Sequence, residues 1–189
     1  VAFLSQFVPV YPSAEALRIA RDRWFEKSMF KDLGIPTPDF ADIQSQADLD
    51  AAVAATGLPA VLKTRTLGYD GKGQIRVKTR AELIAGWDEL QRVGCVLEKM
   101  LPLAYEVSVL VARGRDGQVV HFPLQENLHR DGILAVTTVP APHVTEAVSQ
   151  QAYAAAHQIA IDRHDPVLIQ PPAFAIPVRD PGQHGDQRH

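Results

Sequence analysis

A mixed α/β fold, α+β in detail, is what the sequence predicts, and three observations carry it. Helix-start signals with helical apolar spacing alternate with short apolar runs of strand length between residues 13 and 98. A Gly-rich stretch from Gly68 to Gly73 is bracketed by two of those strand-like runs. After Pro102 the pattern turns strand-rich, with alternating residues on both sides of Asp116-Gly117, a strong hairpin signal.

Residues 1–12 are an apolar, Pro-containing lead-in. Ser13 can cap a helix running to about Leu33, with Leu17, Ala20, Trp24 and Phe30 on its apolar face. Gly34 then supplies a stop, and Pro36 and Pro38 prevent resumption. Ser45 with Asp48 resembles a capping box and opens a second helix, ending at Gly57. Ala60-Val61-Leu62 is strand-like and ends in Lys63, and Gln74 to Lys78 alternates as a strand leaving the Gly-rich loop. Thr79 with Glu82 is a second capping-box pattern, for a helix to about Arg92. Cys95 to Glu98 is a further strand. Glu106 to Arg113 alternates, and Gln118 to Leu124 is its return strand. Gln125 to Asp131 reads as a polar loop, Ile133–Val139 as a strand, and Val144 to about Ile161 as an Ala-rich helix. The residues from Asp162 onward hold prolines at 166, 171, 172, 177 and 181 and keep neither period, so they read as irregular.

Hydrophobic residues make up 46% of the 189, enough for one or two small domains with real cores. A net charge of −3 lacks the basic footprint of a nucleic-acid binder, so no nucleic-acid partner is expected. Cys95 is the single cysteine, which excludes an intramolecular disulfide and a multi-cysteine zinc site. It sits in an apolar run and reads as buried filler rather than a nucleophile. The seven histidines show no helical i, i+4 metal pairing, and no transition-metal site is assigned. No apolar run of about 18 residues suggests a membrane span, and no signal-peptide pattern is visible. A cytoplasmic location fits these features. The first residue is Val rather than Met, so the sequence reads as processed, trimmed or partial.

The sharpest chemical feature is the loop between Lys63 and Gln74. Gly68, Gly71 and Gly73 let backbone N–H groups approach a ligand, while Lys63 and Lys72 add positive charge at its two sides. That is how a flexible phosphate cover is built; an ordinary hairpin loop with solvated lysines has the same composition. It is not a Walker A motif, because no Gly-Lys-Ser/Thr occurs and no helix follows directly. Glu98, followed by Lys99, Met100, Leu101 and Pro102, can form a hinge that offers backbone groups to a purine edge. Glu106 starts the next strand, where a carboxylate could take both ribose hydroxyls; a solvent-facing strand carboxylate is the plain alternative for both acids. His129 lies in a polar segment with Arg130 and Asp131, as a site residue or as an exposed side chain. Ser108 lacks a nucleophile-elbow context.

Taken in order, these segments resemble one family. They are Asp22-Arg23-Trp24-Phe25-Glu26-Lys27, Gly34-Ile35-Pro36-Thr37-Pro38, Ala60 to Arg65, Gly68-Tyr69-Asp70-Gly71-Lys72-Gly73-Gln74, Leu97-Glu98-Lys99, Glu106 to Val109, and Asn127 to Leu134. The series resembles 5-(carboxyamino)imidazole ribonucleotide synthase, of the ATP-grasp superfamily, over about Pro9 to Ile161. The resemblance implies an ATP-grasp small lid domain at 24–100 and part of the large ATP-grasp domain at 101–161. Residues 1–23 would connect to a missing N-terminal Rossmann-like domain, and 162–189 would be a divergent tail. It also implies that Arg23 and Lys63 contact ATP and that Gly68 to Gln74 close over its phosphates. Glu98, Lys99, Met100 and Leu101 would form the adenine hinge, Glu106 would hold the ribose, and His129 would line the nucleotide site. Tyr69 and Asp70 would also face the substrate.

The implied reaction uses ATP to activate bicarbonate and carboxylate the amine of 5-aminoimidazole ribonucleotide, with Mg²⁺ as counter-charge. Family members usually dimerise, so a homodimer is possible by the same resemblance. Three departures stand out. Leu67 replaces the first of two glycines usual before Tyr69; the N-terminal domain is absent; and the acidic Mg²⁺ ligands are not found, since no Glu follows Glu146 and the tail has no Asn. No catalytic or metal residue is therefore assigned, and little synthase activity is expected of this polypeptide alone. Another ATP-grasp carboxylate–amine ligase and a non-catalytic nucleotide-binding remnant are the alternative readings.

Overall fold

Asp22 divides what the sequence reads as one helix. The computed structural model describes residues 1–68, 72–130, 133–162, 168–169 and 174–177. Within them α1 spans Ala14–Ala20 and α2 spans Arg23–Asp32. Ser13 caps α1 by accepting from Ala16 N at 3.1 Å. Asp22 is extended, at φ −125° and ψ 114°, and its carboxylate accepts from Trp24 N at 2.9 Å. A short carboxylate is better placed capping a helix than inside one, so the chain breaks there and restarts.

Four strands follow: β1 (Phe40–Ile43), β2 (Ala60–Thr64), β3 (Gln74–Val77) and β4 (Cys95–Lys99). They form one antiparallel sheet in the order β1-β4-β2-β3. The sequence reading lacked β1. Pro36 and Pro38 exclude helix there, and the next four residues find their partners in β4, from Phe40 opposite Glu98 to Ile43 opposite Cys95. Two helices cover one face of this sheet: α3 (Leu49–Thr56), entered through a 3-10 turn at Gln46–Asp48, and α4 (Arg80–Glu89). The Ser45–Asp48 capping box is formed, and Gly57 ends α3 at φ +71°, a conformation glycine adopts without Cβ strain. The α4 helix stops before the expected Arg92, because Gln91 and Arg92 turn to positive φ and Trp87 Nε1 donates to Val93 O at 2.9 Å.

Strand alternation decides what each sheet face carries. Ile43, Ala60, Leu62, Val77, Cys95 and Leu97 are fully buried against Leu49, Ala52, Leu83 and Trp87. The residues between them, Asp42, Val61, Lys63, Val96 and Glu98, fall on the opposite face.

The second half contains β5 (Leu103–Ser108), β6 (Val111–Arg113), β7 (Val119–His121), β8 (Gln125–Arg130), β9 (Ile133–Thr138), α5 (Glu146–Asp162), β10 (Leu168–Ile169) and β11 (Phe174–Pro177). The strand expected from Glu106 to Arg113 is broken after Ser108. Its pieces enter different sheets, β11-β5-β8-β9 and β10-β6-β7. The expected polar loop from Gln125 is strand as far as Arg130. Its polar side chains have cross-strand partners: Asn127 Nδ2 donates to Ser108 Oγ at 3.1 Å, and Thr137 Oγ1 donates to Asn127 Oδ1 at 3.0 Å. A strand whose polar groups are satisfied across the ladder does not need an apolar pattern. Two short strands, β10 and β11, stand within the tail that reads as irregular; backbone pairing, with β6 and β5, places them. The Ala-rich α5 serves two cores. Ala152, Ala156 and Ala160 pack on Val107, Val109 and Val111, while Ala155 and Ile159 meet Ile19, Met29 and Phe30. Among the described residues no helix is long and apolar enough to cross a membrane.

Truncating Leu97, fully buried between the sheet and α3–α4, is expected to cost about 2–5 kcal/mol. Leu128→Ala, at a half-exposed strand position, is expected to cost less than about 0.5 kcal/mol. Urea unfolding of the two variants checks the contrast.

Candidate functional site

The polar face of the first sheet centres on one carboxylate. Glu98 faces away from the α3–α4 core, yet only 5% of it is exposed. Lys63 on β2 donates to its Oε2 at 2.9 Å, and Lys27 on α2 reaches the same oxygen at 3.2 Å. Burial alone would raise this carboxyl; the two ammonium groups outweigh burial and hold it below the usual range. Oε1 is buried without a hydrogen-bond partner among the described residues. Next to Lys27 on α2, burial pushes the Glu26 carboxyl up, against the pull of Lys27 and Arg23.

The root of the Gly-rich loop is fixed by two arginines. Arg23 Nη1 donates to Thr64 O at 2.6 Å, Nη2 reaches Gly68 O at 3.4 Å, and the Arg23 N–H donates to Arg65 O at 2.9 Å. A Cβ on Gly68 would sit 2.9 Å from that guanidinium. Arg65 forms a fork on Asp22, at 2.6 Å for Nη2–Oδ2, and also reaches Asp42 at 3.2 Å. Asp22 is desolvated, but its bonds to Arg65 and to the Trp24 N–H hold its carboxyl low. Bidentate pairing of this kind fixes orientation as well as charge. Asp22 thus caps α2 and ties that helix to the end of β2. Arg23, expected to contact ATP, donates here to backbone carbonyls of the loop root.

Tyr69, Asp70 and Gly71 lie outside the described residues, as do Asp131 and Gly132. Gly73 has φ +71° and its Cα faces Thr64, whose Oγ1 a Cβ would approach to 2.7 Å. Lys72 and Gln74 are exposed, and Gln74 pairs with Lys63 across β2–β3. Leu67 has φ +64° and is 84% exposed. A left-handed leucine costs roughly 1–2 kcal/mol, which is a physical reason for a glycine there.

At the hinge, the Lys99 N–H donates to Asp39 O and the Met100 N–H to Pro59 O, at 2.9 and 3.2 Å. The Met100 N–H is therefore already committed and is not the donor a purine edge would meet. Lys99 pairs with Asp39 in an exposed bridge, and Leu101 is half-buried. On the second sheet, β5 and β8 bring Glu106 and His129 together, with His129 Nδ1 2.7 Å from Glu106 Oε2. The resemblance put both in the nucleotide site, and sheet register brings their side chains within hydrogen-bond distance of each other.

Sequence reasoning missed Lys27, Arg65 and Asp22 as members of this constellation. Each lies in a segment quoted for the resemblance, but partners 23 to 71 residues away in sequence do not show in a linear pattern. A cleft of about 660 Å³ opens beside the loop root, lined by Thr64, Arg65, Leu67, Gly73 and Gln91 among others. It does not include Lys63, Glu98, Glu106 or His129. Its arginine is already neutralised by Asp22 and Asp42, so the lysine-bearing sheet face has the chemistry suited to phosphate. Cys95 is fully buried and its thiol is pushed up to about 11 by burial, then by Asp42; it is core, as its apolar run implied. Among the described residues no group of three or more His, Cys, Asp or Glu side chains could hold a metal ion. Mg²⁺ is commonly held by one or two carboxylates together with ligand phosphates, and no described residue is assigned to it.

Comparison with known proteins shows what the chain is similar to. The N5-carboxyaminoimidazole ribonucleotide synthase of Pseudomonas aeruginosa is 62% identical over 150 residues, covering 79% of this chain and 42% of that protein. The solved structure of N5-carboxyaminoimidazole ribonucleotide synthetase from Thermus thermophilus superposes with a TM-score of 0.77 at 36% identity, over 89% of this chain and 49% of that one. A carboxyaminoimidazole ribonucleotide synthase from Aspergillus clavatus, solved with ATP, gives a TM-score of 0.79 at 26% identity, over 87% and 43% of the two chains. The chain spans less than half the length of the curated relatives it matches. The model of the ATP-grasp domain matches residues 28–164, and on that match the chain belongs to the ATP-grasp family.

Proposed function

We propose that this chain binds ATP on the polar face of its first sheet, as the nucleotide-binding part of an ATP-dependent carboxylation of 5-aminoimidazole ribonucleotide with bicarbonate. The observation that carries the reading is Lys63. It lies near the end of β2 on the polar face, just before the Gly-rich loop, with its ammonium only partly buried and 2.9 Å from Glu98. A lysine so placed can neutralise phosphate oxygens, while the loop after it lays backbone N–H groups over them. Arg23 holds the loop root, so the loop closes from a fixed base. In this reading the 98–101 segment faces the purine edge and Glu106, 2.7 Å from His129, takes ribose hydroxyls. Phosphoryl transfer asks of the protein mainly positioning and charge neutralisation, and these residues supply both.

The substrate class rests on the relatives, whose printed activity is N5-carboxyaminoimidazole ribonucleotide synthesis. No step is routed through Mg²⁺, because no described residue is assigned to it. A second reading, a nucleotide-binding domain without ligase turnover, is favoured by that same lack.

Calorimetric titration with ATP is expected to show binding that Lys63→Ala weakens about tenfold or more; binding unchanged by Lys63→Ala would contradict the placement of the phosphates. Phosphate release from ATP is expected to depend on 5-aminoimidazole ribonucleotide and bicarbonate together. Release indifferent to the ribonucleotide would sink the substrate assignment, and ATP binding without any release would favour the second reading.

A further inference from the structure

Lys63 stands between Glu98 and the loop proposed to hold a phosphate, and the structure places a second cation, Lys27, on the same carboxylate oxygen. Both ammonium groups converge on one carboxylate oxygen, Oε2, rather than taking one oxygen each. The carboxylate side chain is only 7% exposed, so it cannot turn to water for compensation. The lysines are not equivalent. Lys63 is the more exposed, at 25% against 15%, and stands at the entry to the Gly-rich loop. Lys27 projects from the middle of α2 over the Phe40 ring, 5.9 Å from its centroid, on a helix tied to β2 through Asp22 and Arg65. If Lys63 turned to a phosphate with no other cation present, a buried carboxylate would be left unpaired, which is a strongly unfavourable state. With Lys27 in place, Glu98 keeps a partner throughout.

Resting on the nucleotide reading above, we propose that Lys27 is a positioning residue: it is the standing counter-ion of Glu98, and by holding that carboxylate it releases Lys63 to bind a nucleotide phosphate. Lys27 itself does not touch the nucleotide. The charged groups around Glu98 fit this division. Glu26 and Arg23 share α2 with Lys27, and Lys63 arrives from β2; burial pushes the Glu26 carboxyl up against the pull of these cations, while both ammonium groups lie on Glu98.

The consequence is a specific pattern of coupling. In Lys27→Met, Lys63 becomes the only partner of Glu98 and is withheld from phosphate. Removing the carboxylate charge as well sets Lys63 free again. The test is calorimetric titration with ATP of the whole chain and its variants, with far-UV circular dichroism and thermal midpoints as controls for folding. Lys27→Met is expected to bind ATP about tenfold more weakly than the unaltered chain, Lys27→Arg to restore binding, and the double variant Lys27→Met/Glu98→Gln to recover most of the loss. Should Lys27→Met fail to fold, Glu98→Gln alone reads the same idea, because it frees Lys63 and is expected to tighten ATP binding by about threefold. Lys27→Met binding as tightly as the unaltered chain would overturn the proposal. So would a double variant no better than Lys27→Met, which would mean Lys27 contacts the nucleotide directly, or a Glu98→Gln variant that binds no more tightly. An unaltered chain that binds no ATP would instead overturn the nucleotide reading, and this inference with it.

Discussion

The constraint on which the rest depends is a charge held on the inner side of a sheet. Glu98 lies on a strand whose neighbours Val96 and Leu97 are fully buried, where a lone carboxylate could not persist in its ionised form. Lys63 and Lys27 make it tolerable, and they come from different elements, β2 and α2. The pairing therefore has a structural consequence beyond its own energy. It requires α2 to lie against the polar face of the sheet, and the Asp22–Arg65 fork secures the same helix at the far end of β2. Taking away either lysine would leave charge less well compensated, whereas exposed pairs such as Arg80–Asp50 contribute little by comparison.

The same sheet shows how one alternation serves two purposes. Even-odd placement in β2 and β4 puts Leu62, Cys95 and Leu97 into the α3–α4 core and puts Lys63 and Glu98 on the other side. The hydrophobic face gives the rigidity, and the polar face receives its geometry from that rigidity. The Gly-rich segment then leaves from Thr64 and returns at Gln74, with its root clasped by Arg23 at two carbonyls.

Much of this was legible in the sequence, for reasons that can be named. Capping boxes at Ser45 and Thr79, the stops at Gly34 and Gly57, and the paired apolar runs around the glycines are local signals, and local signals survive in a single chain. The family likewise followed from short words in a fixed order. What was not legible depended on distant partners. The strand from Gln125 to Arg130 looked like a loop because its polar residues are satisfied by Ser108 and Thr137 on neighbouring strands. The break at Asp22 was hidden because its carboxylate is held by Arg65, 43 residues on. Lys27 carried no signal of its own, since nothing near it in sequence announces Glu98. That Arg23, expected to contact ATP, also bonds the carbonyls of Thr64 and Gly68 at the loop root depends on partners 41 and 45 residues away.

The central claim is that nucleotide is received on the lysine-bearing face of the first sheet, at the loop root and hinge, rather than in the cleft beside Gln91 and Gly94. Hydrogen–deuterium exchange of the chain with and without ATP tests it most directly. The account predicts slowed exchange in the Gly-rich loop after Thr64 and in the hinge from Glu98 to Leu101, with Glu89 to Gly94 unaffected. Protection confined to Glu89–Gly94 and Gln44, with the loop and hinge unchanged, would contradict it.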